Sequence, residues 1–491
     1  MKTRNLKGTI AFGSLTATVA LLAGLSNASA QATAPGAGSF PQSFLIPGTN
    51  TSLSIYGVIR SVWQDNIGGM HTGDTQTTGN TVPFHIAQLA LSGPGAAGGI
   101  SATTDQNALH AGLRQFGKAS TVTFETRTPT DLGEVKTVLA MDFNLFSNQA
   151  NYISGTSTNK PAAGSGNTDA PRLLWAYGTI GGWLIGQYNS NYADPTLFPD
   201  VTDSNFEPGQ VSTANIRQSQ IRYTYLAGNG ITLSASLEEQ ESGTLWLTSS
   251  TGAPSSFVSD NTDLNGIVNL PSFNTGINYD QPWGHLMARV GVSRNEIRNT
   301  QSGVSIFGNP NGSNNIKKWG WAAEVGGYLN TWGQDQWKWL INYSKGIANY
   351  STDLSATSGG NMFCNGVGMG VNGGTRIAGS GTCNLIADLG MNTSYTHRFN
   401  PNWRMTAAFG MGFFWKPSAA AGLSNTAVGT AAAQLTALEK RHLASQLNVV
   451  WSPVPGLTDI YLEWDHWDRW VQASQTSGMS NKFGVGFSFY W

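Results

Sequence analysis

The last ten residues, Lys482–Trp491, restrict what this chain can become more than any other stretch does. Successive side chains of a strand point to opposite sides, so Phe483, Val485, Phe487, Phe489 and Trp491 share one face while Lys482, Gly484, Gly486, Ser488 and Tyr490 share the other. Beyond residue 30, no apolar run approaches the ~20 residues that a membrane-spanning helix needs. A soluble sandwich strand alternates in the same way, so composition must separate the two. Only 11% of the 491 residues are charged, against about 25% in ordinary soluble proteins, while 17 are Trp and 60 are Gly. A disordered chain needs charge and few aromatics. A nucleic-acid partner needs a basic excess, and the formal charge is −1. What remains is a chain with one surface in lipid and another in water, and without helices only a closed barrel satisfies its backbone there.

Lys2, Arg4 and Lys7 precede the apolar stretch Ile10–Leu25, and Ala28-Ser29-Ala30 follows it. Residues 1–30 therefore read as a secretory signal peptide, with Gln31 the first mature residue. Residues 31–50 are then a short periplasmic segment and residues 51–491 the barrel. The two cysteines, Cys364 and Cys383, border a Gly-rich stretch and are expected to close a disulfide in an oxidising compartment. Two thiolates with no nearby His leave a metal shell incomplete, so neither a metal nor a cofactor is expected.

The period-2 pattern recurs along the chain. Trp403, Met405, Ala407, Phe409, Met411 and Phe413 alternate with Arg404, Thr406, Ala408, Gly410 and Gly412, and Trp337, Trp339, Ile341 and Tyr343 with Lys338 and Asn342. Short connections with turn residues, at Thr128–Leu132, Gly181-Gly182, Ala227–Gly230, Gln281–Gly284, Thr331–Gln334, Phe399–Asn402 and Pro453–Gly456, take turns with long ones. Strand centres fall near residues 58, 121, 139, 176, 186, 221, 235, 276, 290, 324, 341, 393, 409, 446, 463 and 486. The fold class is thus all-β, a 16-stranded antiparallel transmembrane β-barrel with short periplasmic turns, long extracellular loops and both termini in the periplasm. Phe84–Leu91 alternates weakly and is assigned to the first long loop. Trp183, Trp283, Trp332, Trp403, Trp451 and Trp491 lie beside short turns or the C-terminus, and Trp63, Trp319, Trp415, Trp467 and Trp470 at long-loop ends. From Trp403 to Trp415, at ~3.3 Å per residue and a tilt near ~40°, a strand climbs about 30 Å, roughly one apolar band between two aromatic girdles.

A barrel of this size leaves an aqueous channel. Strand parity puts Arg60, Arg127, Lys136, Arg222, Arg289, Lys338, Arg398, Arg404 and Lys482 on its inner face, with Glu125, Asp142, Glu324, Glu463 and Asp465 among them. A cationic lining concentrates anions, unless the charges simply pair and select little. The third long loop, Asn189 to Ala214, carries Asp194, Asp200, Asp203 and Glu207, prolines at 195, 199 and 208, and no basic residue. Its carboxylates are expected to face the basic wall as a constriction and set a field across the lumen. A hydrated surface loop is the alternative.

Several segments resemble the DcaP-like family of trimeric Gram-negative outer-membrane porins. They are Phe44–Leu53 entering the first strand, Thr128–Gly133 with Val135-Lys136-Thr137, Ala176–Gly181 running on to Gly186-Gln187, Asp194-Pro195, and Gly209-Gln210-Val211 through Arg217–Tyr223. Beyond about residue 240 the likeness is architectural. The resemblance implies passive uptake of small organic anions, dicarboxylates included, through a homotrimer, and makes Arg222 the first choice for a solute contact. Gln31–Ser43 is short and lacks heptads, so a trimer must rely on barrel-wall contacts. The implied partners are outer-membrane lipid and lipopolysaccharide, and the barrel-assembly machinery through the strand ending at Trp491. A non-selective general porin and a receptor or adhesin acting through the large loops are the rival readings. Catalysis is not expected: of the histidines at 71, 85, 110, 285, 397, 442 and 466, His466 is flanked by acids, but its neighbours in a strand point to the opposite face.

Overall fold

The computed structural model describes residues 36–69, 114–116, 120–143, 172–200, 216–239, 245–249, 264–266, 270–299, 315–347, 350, 361–367, 371–372, 375–376, 383–415, 439–471 and 477–491. The signal peptide, Phe84–Leu91, Asp203 and Glu207 lie outside them.

Sixteen strands form one closed antiparallel ring. In chain order they are β1 (Ser52–Gly69), β2 (Ser120–Thr130), β3 (Gly133–Phe143), β4 (Arg172–Ile180), β5 (Trp183–Asn189), β6 (Arg217–Gly228), β7 (Ile231–Glu238) and β8 (Ser272–Gln281). Then follow β9 (Gly284–Asn299), β10 (Asn315–Asn330), β11 (Gln336–Lys345), β12 (Ala387–Asn400), β13 (Trp403–Trp415), β14 (Glu439–Trp451), β15 (Thr458–Val471) and β16 (Ser477–Tyr490). Each strand pairs with its neighbours in sequence, and β16 closes on β1 with Val58 opposite Tyr490. Every strand centre read from the alternation falls inside one of these strands. Closure removes the unpaired edges that a lipid environment cannot satisfy.

The burial pattern is inverted relative to a soluble protein. Ile55, Ile59, Leu139, Ile185, Ile221, Phe273, Val290, Ile341, Leu462 and Phe489 are exposed on the outside, while Ser54, Glu125, Asn274, Glu324, Asn342, Thr406, Gln446 and Ser488 are buried on the inside. This is the arrangement of an apolar belt around a polar lumen. Trp183, Trp283, Trp332, Trp403 and Trp451 are exposed at the short-turn end, and Trp63, Trp319 and Trp415 at the other.

Two glycines show how closely neighbouring strands approach. Gly230 has φ +80° in the turn between β6 and β7, and a Cβ there would strike the carbonyl of Asp280. Gly486 leaves room for the Tyr461 ring, which would overlap any side chain at that position.

The N-terminal segment pairs with the wall beside the point of closure. Strand β16 stops short, with Trp491 bonded to Gly57, so the backbone of Ser52-Leu53 has an open edge. Phe44-Leu45 pairs there in antiparallel register. The segment also turns inward, where Ser54 Oγ donates to the Gln42 carbonyl and the Phe40 ring lies 4.4 Å from the Arg127 guanidinium. Outside the ring, Leu245–Ser249 runs parallel to Met362–Val367, which pairs antiparallel with Cys383–Leu385 and sets Cys364 opposite Cys383.

Candidate functional site

The chain leaves β5 at Asn189 and runs against the inner wall rather than away from the barrel. Glu238, at the end of β7, accepts from Ser190 Oγ at 2.6 Å and from the Asn191 backbone at 2.7 Å. Tyr192 then stacks on Tyr350 at 4.3 Å and donates to Asn342 of β11 at 2.9 Å. Asp194 caps a single 3-10 turn, Pro195–Leu197, by accepting from the Thr196 backbone at 3.0 Å. The proline fixes the first φ of that turn, so its geometry costs little entropy. Leu197 is buried with Met287 of β9 and Leu340 of β11. Asp200 ends the described part of the segment, its carbonyl accepting from Asn448 of β14 at 2.6 Å. The segment thus touches the inner wall from β7 round to β14.

Its two described acids meet two different basic groups. The Asp194 carboxylate lies 3.0 Å from His285 Nε2 and 3.4 Å from Arg289 Nη2, both on β9. Burial pushes this carboxyl up, but the hydrogen bonds from His285 and Thr196 and the Arg289 charge outweigh that and hold it below the usual carboxylate range. Asp200 accepts from Arg404 Nε of β13 at 2.5 Å, and the same guanidinium donates to Asp459 of β15 at 3.0 Å. Both acids therefore contact the cations instead of facing them across open water. Such contact neutralises charge where a separated arrangement would set up a transverse field.

The expected lining cations all stand at inward register positions, yet their states differ. Arg60 is half-buried, its backbone donating to Ser120 Oγ at 3.0 Å. Arg127 and Lys136 share Glu125, at 2.7 and 3.2 Å. Arg222 donates to Gln220 at 2.8 Å and to the Asn189 carbonyl at 2.5 Å, and lies 5.5 Å from the Tyr188 ring. Arg289 is buried and donates to the Ile277 carbonyl at 3.0 Å. The Lys482 side chain lies outside what is described.

Beneath the inward segment, toward the short turns, lies a cavity of about 620 Å³. Pro195, Phe198 and Asp200 roof it, and Lys338, Arg398, Arg404 and Asp459 form part of its wall. Arg404 is consumed by its two carboxylates. Lys338 Nζ donates to the Phe198 carbonyl at 2.8 Å and meets no carboxylate among the described residues. The Arg398 guanidinium is exposed and makes no ion pair among them, although its backbone donates to Asp335 at 2.8 Å. That bond, with those from His397 and Tyr395, holds the Asp335 carboxyl in the turn below its usual range.

Sequence reasoning did not single out His285, Glu238 or the Tyr192–Tyr350 stack. His285 shares the inward parity of Met287 and Arg289, the one signal available, but its partners are 5 and 91 residues away.

A family profile described as the porin subfamily matches residues 41–484. No curated protein matches the chain by sequence. Among solved structures, the fold is similar to the outer membrane channel DcaP of Acinetobacter baumannii, with a TM-score of 0.60 and 18% identity over 91% of this chain and 99% of that one. OmpT of Vibrio cholerae, outer-membrane expressed, gives a TM-score of 0.46 and 9% identity over 91% of this chain and 100% of that one. OprB of Pseudomonas putida gives 0.45 and 10% over 89% and 94%.

Proposed function

The chain belongs to the porin subfamily, and from that premise we propose that its channel favours small organic anions, dicarboxylates among them. Membership makes it an integral outer-membrane protein for passive diffusion, not an enzyme. The observation that carries the preference is the pair Lys338 and Arg398, which contact no described carboxylate in a cavity whose third cation, Arg404, is paired with Asp200 and Asp459. A surplus of cations over carboxylates in a low-dielectric passage lowers the entry barrier for anions. Arg222 is a further solute contact in this reading, with Arg60, Arg127, Lys136, Arg289 and Arg404 lining the path and the segment holding Asp194 and Asp200 as its constriction.

Planar-bilayer recording across a salt gradient tests this. The native channel is expected to show an anion-biased reversal potential, and Lys338→Met combined with Arg398→Gln to reduce the anion-to-cation permeability ratio several-fold. Cation bias in the native channel would discard the preference and spare the barrel. The pairing of Arg127, Lys136 and Arg404 with acids favours a second reading, a non-selective porin, in which the double substitution changes nothing.

We propose a homotrimer as well. Strands β4, β5 and β7 have 9, 7 and 8 residues, whereas β9 and β10 have 16 each. At ~3.3 Å per residue and ~40° tilt, the shortest climbs about 18 Å, less than the apolar band of about 25 Å. A wall that low supports burial against another copy. The remaining proposals are cleavage after residue 30, a Cys364–Cys383 disulfide supported by their opposed register, contact with lipopolysaccharide, and handover of the strand ending at Trp491 to the assembly machinery.

A further inference from the structure

Asp194 is tied to the wall through a histidine that meets a carboxylate with each ring nitrogen. His285 Nδ1 lies 2.7 Å from Asp280 Oδ1, and Nε2 lies 3.0 Å from Asp194 Oδ2. Carboxylate oxygens only accept, so both contacts are hydrogen bonds only when both nitrogens carry protons and the ring is cationic. A neutral ring has a single N–H and must turn a lone pair toward one of the two acids. His285 and Asp194 are 5% and 7% exposed, so little water reaches the contact between them, whereas Asp280 is 56% exposed and solvent can serve its side.

Titratable and charged groups face this ring from every element packed on it. Asp280 comes from the end of β8, Asp194 from the inward segment, and Arg289 from the same strand as His285. From β10, Tyr328 stacks on the ring at 5.5 Å, and Glu324 acts electrostatically on Asp194 and Arg289. Lys338 of β11 is within electrostatic reach of Asp194. None of the others can donate to both Asp280 and Asp194, so one proton on His285 decides whether Asp194 is held to the wall by Arg289 and a cationic ring or by Arg289 and a neutral one.

We propose that His285 is a pH-dependent latch for the inward segment: protonated, it clamps Asp194 to the wall through a charge-assisted bond, and deprotonated, it holds Asp194 weakly enough to free that end of the segment into the lumen. Tyr192 pins the chain before Asp194, so the released piece is the short 3-10 turn and its cap, whose far end rests on the wall through the packing of Leu197 on Met287 and Leu340. Movement there changes the space above the cavity and hence the current. The inference stands on the channel itself and is independent of the anion preference.

Single-channel recording of the full protein from about pH 5 to about pH 9 reads the latch, since imidazole chemistry falls in this range. The native channel is expected to be quiet at the acid end and to flicker several-fold more as pH rises. His285→Gln, whose two N–H donors share one nitrogen and whose side chain never gains a charge, should flicker at every pH. A second variant keeps the histidine: Leu197→Cys with Leu340→Cys, oxidised, ties the segment to β11 and should abolish the pH dependence, which returns on reduction. A native channel with flat noise across the range, a His285→Gln profile like the native one, or a locked channel that still responds to pH would each overturn the latch. A change in reversal potential without a change in noise would count against it while leaving the selectivity reading untouched.

Discussion

Asp194 and Asp200 sit on one short segment, yet the surroundings of the two acids are opposite in kind. The Asp194 side chain is 7% exposed and Asp200 33% exposed. Around Asp194 the basic partners are held on further sides: Arg289 also donates through Nη1 to the Ile277 carbonyl, and His285 turns its second nitrogen to Asp280. Around Asp200 the pairing is incomplete. Arg404 is shared between Asp200 and Asp459, while Lys338 and Arg398 line the same cavity without a described carboxylate. The first end is a mechanical anchor and the second an electrostatic surface. One loop can therefore fix the size of a passage and leave its charge to be set elsewhere.

The largest expected effect breaks the anchor. Arg289→Met leaves Asp194 buried beside a single basic partner, and removing one member of a buried pair costs about 3–5 kcal/mol. The loss is to be read as a lowered denaturant midpoint in detergent, together with raised open-channel noise. If the midpoint is unchanged, the two ends are alike after all.

Acid should act on the same end more gently. The Asp194 carboxyl is held below its ordinary range, so its contribution is complete above the free carboxylate value of about 3.9 and fades as pH falls through the depressed one. The native protein should then lose midpoint between about pH 5 and about pH 2, and Asp194→Asn should lose measurably less over that interval. Equal losses in the two proteins would remove Asp194 as the source.

The smallest effect on stability sharpens the contrast. Asp200→Asn still leaves Arg404 paired with Asp459, and a partly exposed pair is worth about 1 kcal/mol or less. Its unfolding midpoint should barely move. Its reversal potential should shift further toward anions, because one negative charge leaves the cavity wall. A shift toward cations would contradict the charge balance drawn for that cavity.

Much of the fold was legible in the residues. The alternation around Trp403–Phe413 or Phe483–Trp491, the glycine at 230 and the Trp positions follow from geometry that holds within a few residues, so every strand centre could be placed. The candidate site was legible only in part. Parity put Arg289, Lys338, Arg398 and Arg404 on the inside, but parity carries no distance. Nothing local says that Asp194 reaches His285 or that the Asp200 carbonyl reaches Asn448, a separation of 248 residues along the chain. The acids of the loop were expected to face the basic wall and set a field across the lumen, and Asp194 and Asp200 lie in direct contact with cations of that wall.

The sequence by itself determined that this protein is a barrel. Side chains two residues apart share a face, the apolar face can only meet lipid, and a backbone crossing lipid without helices must close on itself. Tertiary structure decided which charges cancel and which stay available, because that depends on where a loop lands across a lumen formed by all sixteen strands.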